Sequence, residues 1–252
     1  MYATERQRET LGRVRDAARV HVTTLASELM VTPETIRRDL TALERQGLVR
    51  RVHGGAIPVQ RPGGEAGLAA REVLLVAEKE RIAKRAVEEV PEHGTVILDA
   101  GTTTSRLAEA LPAHALTVVT NSVPIAVLLA ARTEIALHLV GGQVRFQTQA
   151  MVGDWAGHAL ADVCVDVAFM GTNGISAQRG LTTADRQEAA VKRSMMAAAR
   201  RTVVLADHTK AGADHFASFA RLDQVDLLVS DTGLDPDLAD EIAAAGPAVV
   251  LA

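Results

Sequence analysis

Cysteine is almost absent: Cys164 stands alone among 252 residues. A lone cysteine excludes an internal disulfide and any cysteine-built zinc site. Aromatic side chains make up 2% of the chain, four Phe, one Trp and one Tyr. Stacking platforms of the kind that hold single-stranded nucleic acid are therefore undersupplied. No apolar run reaches the ~18 residues of a membrane-spanning helix, and the start, MYATERQRET, is too charged for a signal peptide. These absences predict a cytoplasmic protein with no membrane partner. The eight histidines are scattered without HxxxH or HExxH spacing, so no metal is expected, and His208 and His215 read as loop residues. Trp155, Met195 and Met196 read as packing residues, and Cys164 as buried and inert.

What is present suggests two unequal parts. Hydrophobic residues are 48% and charged residues 23%, enough for a substantial core of Val, Leu, Ile and Ala. The net charge of −4 hides an asymmetry: residues 1–60 carry ten Arg, no Lys and seven acids, while 61–252 carry 17 bases and 24 acids. A weakly basic head on an acidic body suggests a polyanion as partner of the head.

Within the head, Leu11 and Val14 share a face of a first helix. An extended piece at 20–22 follows, and Thr24 reads as the N-cap of a short helix with Leu25 and Leu29 at i, i+4. Val31 sits in a tight turn. Thr32 then caps a third helix, TPETIRRDLTALERQG, with Pro33 at its first position and Glu34 at its positive end. Ile36, Leu40 and Leu43 must face inward, which leaves Thr35, Arg37 and Arg38 projecting near the helix start. The stretch LVRRV and the turn His53–Gly54–Gly55–Ala56 form a two-stranded wing. This is helix-turn-helix geometry, whose second helix enters the DNA major groove. Thr35, Arg37 and Arg38 are expected at base edges, and Arg50, Arg51 and His53 on the flanking backbone or minor groove.

A linker rich in Gly, Pro and Ala, residues 59–71, separates the head, 1–58, from a body spanning 72–252. The body opens with a helix over 72–90 and then alternates helices with continuous apolar strands at 96–99, 117–120, 135–140, 165–170, 202–206, 227–230 and 248–251. Continuous apolar runs indicate a parallel sheet covered on both faces, hence an open α/β fold with ligands at the carboxyl ends of its strands. Four polar motifs fall at such ends. Asp99–Ala100–Gly101–Thr102–Thr103–Thr104–Ser105 has the small residues and helix start of a phosphate-binding turn, and equally those of a Thr-capped helix. It lacks both the GxxxxGK(S/T) and GxGxxG patterns, so no nucleotide cofactor is expected. Thr120–Asn121–Ser122, Gly171–Thr172–Asn173–Gly174 and Asp207–His208–Thr209–Lys210 would line the same crevice, with Lys210 as its cation and the asparagines reading hydroxyls.

LASELMVTPETIRRDLTALERQGLVRRVHGGA closely resembles the winged helix-turn-helix of DeoR-type bacterial regulators. DAGTTTSRLAEAL, VVTNS, LVGG, AFMGTNGI, GLTTADRQEAAVKRSM and LADHTK resemble that family's sensor domain, which is similar in fold to ribose-5-phosphate isomerase A. The resemblance implies a transcriptional regulator, a repressor of a sugar-uptake or sugar-catabolism operon. Its partners would be operator DNA and a phosphorylated sugar, and it would act as a dimer or tetramer. It implies Asp99, Gly101, Thr102, Thr103, Thr104, Asn121, Ser122, Asn173, Gly174, Glu188, Lys192 and Lys210 as effector-pocket residues. Glu188 and Lys192 could equally form an i, i+4 ion pair. HLVGGQVRFQTQAMVG and VDVAFMGTNGIS are similar to the branch of fructose-uptake operons, which implies fructose 1-phosphate. The opposing possibility is an isomerase-type enzyme fused to a DNA-binding head, with Glu188 as base. Against it, the chain has Gly171–Thr172–Asn173–Gly174 where related isomerases carry an acidic GADE-type loop.

Overall fold

A computed structural model describes residues 3–16, 20–45, 49–52, 54–58 and 67–252, without the side chains of 3–5, 8, 15, 16, 45, 50, 57 and 58. The chain divides into two compact units, residues 1–74 and 75–252.

The first unit runs α1 (Ala3–Asp16), β1 (Val20–His21), α2 (Val22–Glu28), α3 (Pro33–Arg45), β2 (Val49–Val52), β3 (Gly55–Pro58) and α4 (Leu68–Glu72). Val14, Leu25, Ile36, Leu40, Leu43, Val49 and Ala56 form its core, so the stripe predicted for the third helix does face inward. Thr32 Oγ1 accepts from the Thr35 N–H at 3.2 Å and caps α3 as expected. Helix α2, by contrast, begins at Val22, with Thr24 already inside it and no side chain capping it. The reason is tertiary: the Val22 N–H donates to the Gly54 carbonyl at 2.9 Å, so the wing satisfies the helix end that Thr24 was expected to cap. Strands β1, β3 and β2 form an antiparallel sheet in that order. A Cβ at Gly55 would lie 1.9 Å from the Val20 carbonyl oxygen, so only glycine lets β3 approach β1. A partly buried ion pair ties α1 to α3: Arg6 Nε donates to Asp39 Oδ2 at 2.5 Å, and hydrogen bonding to Asp39 raises the Arg6 pKa.

The second unit runs α5 (Val76–Ala86), β4 (Gly94–Leu98), α6 (Thr102–Ala110), β5 (Leu116–Thr120), α7 (Val123–Leu129), β6 (Ile135–Leu139), β7 (Gln143–Arg145), β8 (Ala150–Val152), α8 (Asp154–Ala161), β9 (Val165–Gly171), β10 (Gly174–Ser176), β11 (Gly180–Thr183), α9 (Arg186–Ala197), β12 (Ala199–Leu205), β13 (Ala217–Ala220), β14 (Leu227–Ser230), α10 (Pro236–Ala244) and β15 (Ala248–Leu251). The seven strands predicted from apolar runs are the seven of the main parallel sheet, in the order β15-β14-β12-β9-β4-β5-β6. Both faces are covered. Val96, Leu98 and Phe169 pack with Ile82, Leu107 and Ile125 from α5, α6 and α7. Ile97, Ala168 and Met170 pack with Leu160, Val191 and Met195 from α8 and α9.

The helix expected over 72–90 is broken. Helix α4 ends at Glu72, Leu75 takes a left-handed conformation (φ 50°), α5 restarts at Val76, and a 3-10 turn closes at Glu89. Pro91 explains the end, since it pushes Val90 into extended conformation (ψ 126°). Helix α4 also occupies the last residues of the stretch read as linker. The hairpin β7–β8 and the small sheet β10-β11-β13 were not foreseen. Two packing expectations fail. Cys164 is exposed, in the connection that precedes β9. Trp155 is 79% exposed in the first turn of α8, while Ala156 and Leu160 make that helix's buried face.

Candidate functional site

In the head, Arg37 and Arg38 are exposed near the start of α3, and Thr35 is half-buried with its hydroxyl 2.9 Å from that of Thr32. Arg37 is engaged, donating to Glu34 Oε2 at 2.9 Å. Arg38 has no hydrogen bond or ion pair among the described residues, and its guanidinium keeps all five donors for a ligand. Arg51 reaches back to the helix: its side chain donates to Thr41 Oγ1 at 3.0 Å and its N–H to Glu44 Oε1 at 2.8 Å. Arg50 lies on β2 opposite Ile57, but its side chain, like the whole of His53, is outside the described residues.

In the second unit, β4 pairs with β5 on one side and β9 on the other, so the strand order reverses between β4 and β9. Such a switch point opens a crevice beyond the carboxyl ends of the strands. Asp99 and Gly171 stand there. Asp99 is fully buried; its Oδ2 accepts from the Gly171 N–H at 2.9 Å and from Lys192 Nζ, while Oδ1 has no partner among the described residues. Lys192, 2% exposed, also donates to the Gly171 carbonyl at 3.0 Å and lies 5.4 Å from the centre of the Phe219 ring. It therefore bridges the ends of β4 and β9 rather than pairing with Glu188. Glu188 accepts from Arg145 of the hairpin at 3.1 Å.

Helix α6 starts beside Asp99. Gly101 is its N-cap and no side chain caps it, so the orphan N–H groups of its first turn are not satisfied by any side chain. The hydroxyls of Thr104 and Ser105 donate to the Gly101 carbonyl at 2.9 and 2.8 Å, while those of Thr102 and Thr103 have no hydrogen-bond partner among the described residues. Asn121 Oδ1 accepts from the Ala100 N–H at 3.0 Å and holds the turn in place. Ser122 caps α7, accepting from the Ile125 N–H at 3.3 Å. Asn173 Oδ1 accepts from Thr183 Oγ1 at 3.0 Å. Gly174 is structural: a Cβ there would come within 2.2 Å of the Ala213 carbonyl oxygen. Lys210 Nζ lies 3.8 Å from Asp207 Oδ2 and is partly exposed. Asp99, Asn121 and Lys192 thus form one connected framework around the start of α6. Ser122, Asn173, Gly174 and Glu188 are each engaged in other contacts.

Sequence reasoning missed Arg145 and a second buried carboxylate, Asp231. Asp231 follows β14 as Asp99 follows β4, a strand-end position that could have signalled it. Its oxygens accept from the His208 N–H at 2.8 Å, His208 Nδ1 at 2.8 Å and the Gly233 N–H at 3.0 Å. Burial alone would raise the Asp231 pKa, but these donors outweigh it and hold the carboxyl below its ordinary value. A depressed carboxylate contributes stability that is full above its unfolded pKa near ~4 and is lost as pH falls through the folded value. The destabilisation caused by Asp231→Asn is therefore expected to be larger at pH 7 than at pH 3 in urea titrations. Equal effects at both would show that the charge of Asp231 contributes nothing.

A winged helix-turn-helix with a free arginine on its recognition helix, joined to an open α/β domain with an uncapped helix start at its switch point, defines a DNA-reading protein with a separate ligand domain. Residues 6–61 match the DeoR-like helix-turn-helix domain and residues 75–232 the DeoR C terminal sensor domain. The chain is 39% identical over 251 residues to the HTH-type transcriptional regulator GlpR of Haloferax volcanii, covering 99% of this chain and 98% of that protein. It is 33% identical over 231 residues to the HTH-type transcriptional repressor GlcR of Bacillus subtilis (92% and 89% covered). It is 30% identical over 236 residues to the glycerol-3-phosphate regulon repressor of Escherichia coli K12 (92% of each). The chain belongs to the DeoR family of transcriptional regulators. Among solved structures it matches ribose 5-phosphate isomerase A of Methanocaldococcus jannaschii at 20% identity over 52% of each chain, TM-score 0.37. That likeness is too remote to bear on the site. No helix among the described residues is long and apolar enough to cross a membrane.

Proposed function

We propose that this regulator represses a sugar-uptake or sugar-catabolism operon and that a phosphorylated sugar, with fructose 1-phosphate as first choice, lowers its affinity for operator DNA. The observation that carries the effector half is the uncapped start of α6 at the switch point, where backbone N–H groups and the helix dipole favour a dianion. Thr102 and Thr103 supply hydroxyls without a hydrogen-bond partner among the described residues, and Lys210 a partly exposed cation at the same strand ends. Thr104, Asn121, Asp99 and Lys192 hold that turn, which Gly101 begins. Repressors named for glycerol 3-phosphate and other operons among the relatives support the chemical class while leaving the sugar open.

A sensor is favoured over an isomerase by the state of Glu188. Its carboxylate is held in a 3.1 Å ion pair with Arg145, and Thr172 and Asn173 supply no acid partner. The coupling is thermodynamic: the ligand must favour the state that binds operator poorly, and DNA must weaken the ligand by the same factor. Fluorescence polarisation of operator DNA upstream of the neighbouring sugar operon, with a panel of sugar phosphates, tests it. Release by one compound, abolished when Thr102 and Thr103 are replaced by Val, is the expected result. Operator binding that no sugar phosphate alters would sink the sensor half and leave the DNA-binding half standing.

A further inference from the structure

We propose that Thr148, in the turn of the hairpin β7–β8, reads a hydroxyl on the carbon chain of the phosphorylated sugar. The inference rests on the effector half of the proposed function and extends it from the phosphate to the sugar. Residues 146–149 make the turn, and three of the four are exposed, Phe146 by 89%. Thr148 is the exception, at 1%. Its Oγ1 is buried and has no hydrogen-bond partner among the described residues. Such a hydroxyl has given up its hydrogen bonds to water and gained none in return. Valine would fill the same volume without that penalty, so packing does not account for a threonine here.

The hairpin belongs to the crevice. Strand β8 sends Ala150 and Val152 into one core cluster with Ile97, Ala100 and Met170. Thr148 is the next buried residue toward the tip, so this apolar inner face ends in a hydroxyl. The Val123 N–H donates to the Gln149 carbonyl at 3.1 Å and the Met151 N–H to the Asn121 carbonyl at 2.7 Å, which fixes β8 to the segment after β5. Asn121 in turn accepts from the Ala100 N–H at 3.0 Å. On the other strand, Arg145 donates to Glu188 at 3.1 Å, one turn of α9 from Lys192, whose partner is Asp99. Thr148 therefore hangs between two anchors that both lead to the end of β4, where the crevice opens.

Asp99 Oδ1 is a second buried polar atom there without a hydrogen-bond partner among the described residues. A carboxylate oxygen needs a donor, and a phosphate dianion offers only acceptors. Sugar hydroxyls both donate and accept, so a hydroxylated carbon chain satisfies Asp99 Oδ1 and Thr148 Oγ1 together. Thr148 is the better position to test. Replacing Asp99 also strands Lys192 and the Gly171 N–H, whereas the Thr148 side chain has no hydrogen bond among the described residues to lose.

The test is calorimetric titration of the full chain with fructose 1-phosphate, glucose 6-phosphate, glycerol 3-phosphate and inorganic phosphate. Thr148→Val is expected to weaken the tightest of the three organic phosphates by about two- to tenfold, the effect of one lost hydrogen bond, and to leave inorganic phosphate unchanged. Thr148→Ser keeps the hydroxyl and is expected to bind as the parent does. Without ligand, Thr148→Val is expected to melt no lower than the parent, because it removes an unpaired polar group. Equal affinity of parent and Thr148→Val for the organic phosphate overturns the proposal, and so does an equal weakening toward inorganic phosphate. A Thr148→Val protein that fails to fold, or melts below the parent, shows that the hydroxyl has a structural partner and overturns it as well. A parent that binds none of the three organic phosphates more tightly than inorganic phosphate reads no sugar, and the proposal then falls together with the effector half of the proposed function.

Discussion

Replacing Lys192 by methionine is expected to destabilise the sensor domain by about 3–5 kcal/mol, the usual cost of stranding one member of a buried ion pair. Lys192 is 2% exposed and Asp99 fully buried, so no solvent is at hand to screen the carboxylate left behind. The loss also frees the Gly171 carbonyl that Lys192 serves at 3.0 Å. Urea denaturation followed by circular dichroism measures it. Adding Asp99→Leu to Lys192→Met removes the uncompensated charge as well as its partner, and the double variant is expected to regain much of the stability. A Lys192→Met protein as stable as the parent, but deaf to effector, would make Lys192 a ligand contact and not a clasp.

Arg38→Ala is expected to weaken specific operator binding by about 1–3 kcal/mol, roughly five- to 150-fold, if Arg38 reads a guanine. Arg37→Ala is expected to cost less, because Arg37 already spends a donor on Glu34 at 2.9 Å. Polarisation titrations against operator and scrambled duplexes separate base reading from phosphate contact. Loss confined to the operator marks base reading, whereas equal loss on both duplexes marks a phosphate contact with a shallower salt dependence. Unchanged operator binding by Arg38→Ala would remove Arg38 from the interface.

The legible part of this protein is what short-range pattern encodes. All seven parallel strands announced themselves as apolar runs such as TVIL and LLVS, because a strand covered on both faces has no polar register to keep. Thr32, Pro33 and the Ile36–Leu40–Leu43 stripe located the recognition helix for the same local reason. What escaped was decided by distant partners. Gly54, 30 residues further along, displaced Thr24 as the cap of α2. Lys192 found Asp99 at a separation of 93 residues in preference to Glu188, four residues away. The hairpin β7–β8 has three residues per strand, too few to show a period, yet it brings Arg145 onto Glu188. Of the crevice, the start of α6 was visible in DAGTTTS, but the commitment of Thr104 to the Gly101 carbonyl was not. Asp231 was within reach of the same strand-end logic that singled out Asp99.

Arg51 couples two parts of the DNA reader that sequence treats as separate. Its guanidinium holds Thr41, whose own hydroxyl donates to the Arg37 carbonyl at 2.8 Å. A substitution on the wing is therefore expected to reach the reading helix through Thr41. Variation along β2 would surface as altered taste for operator sequence. Regulators that part company over which genes they govern could thus diverge first in the wing.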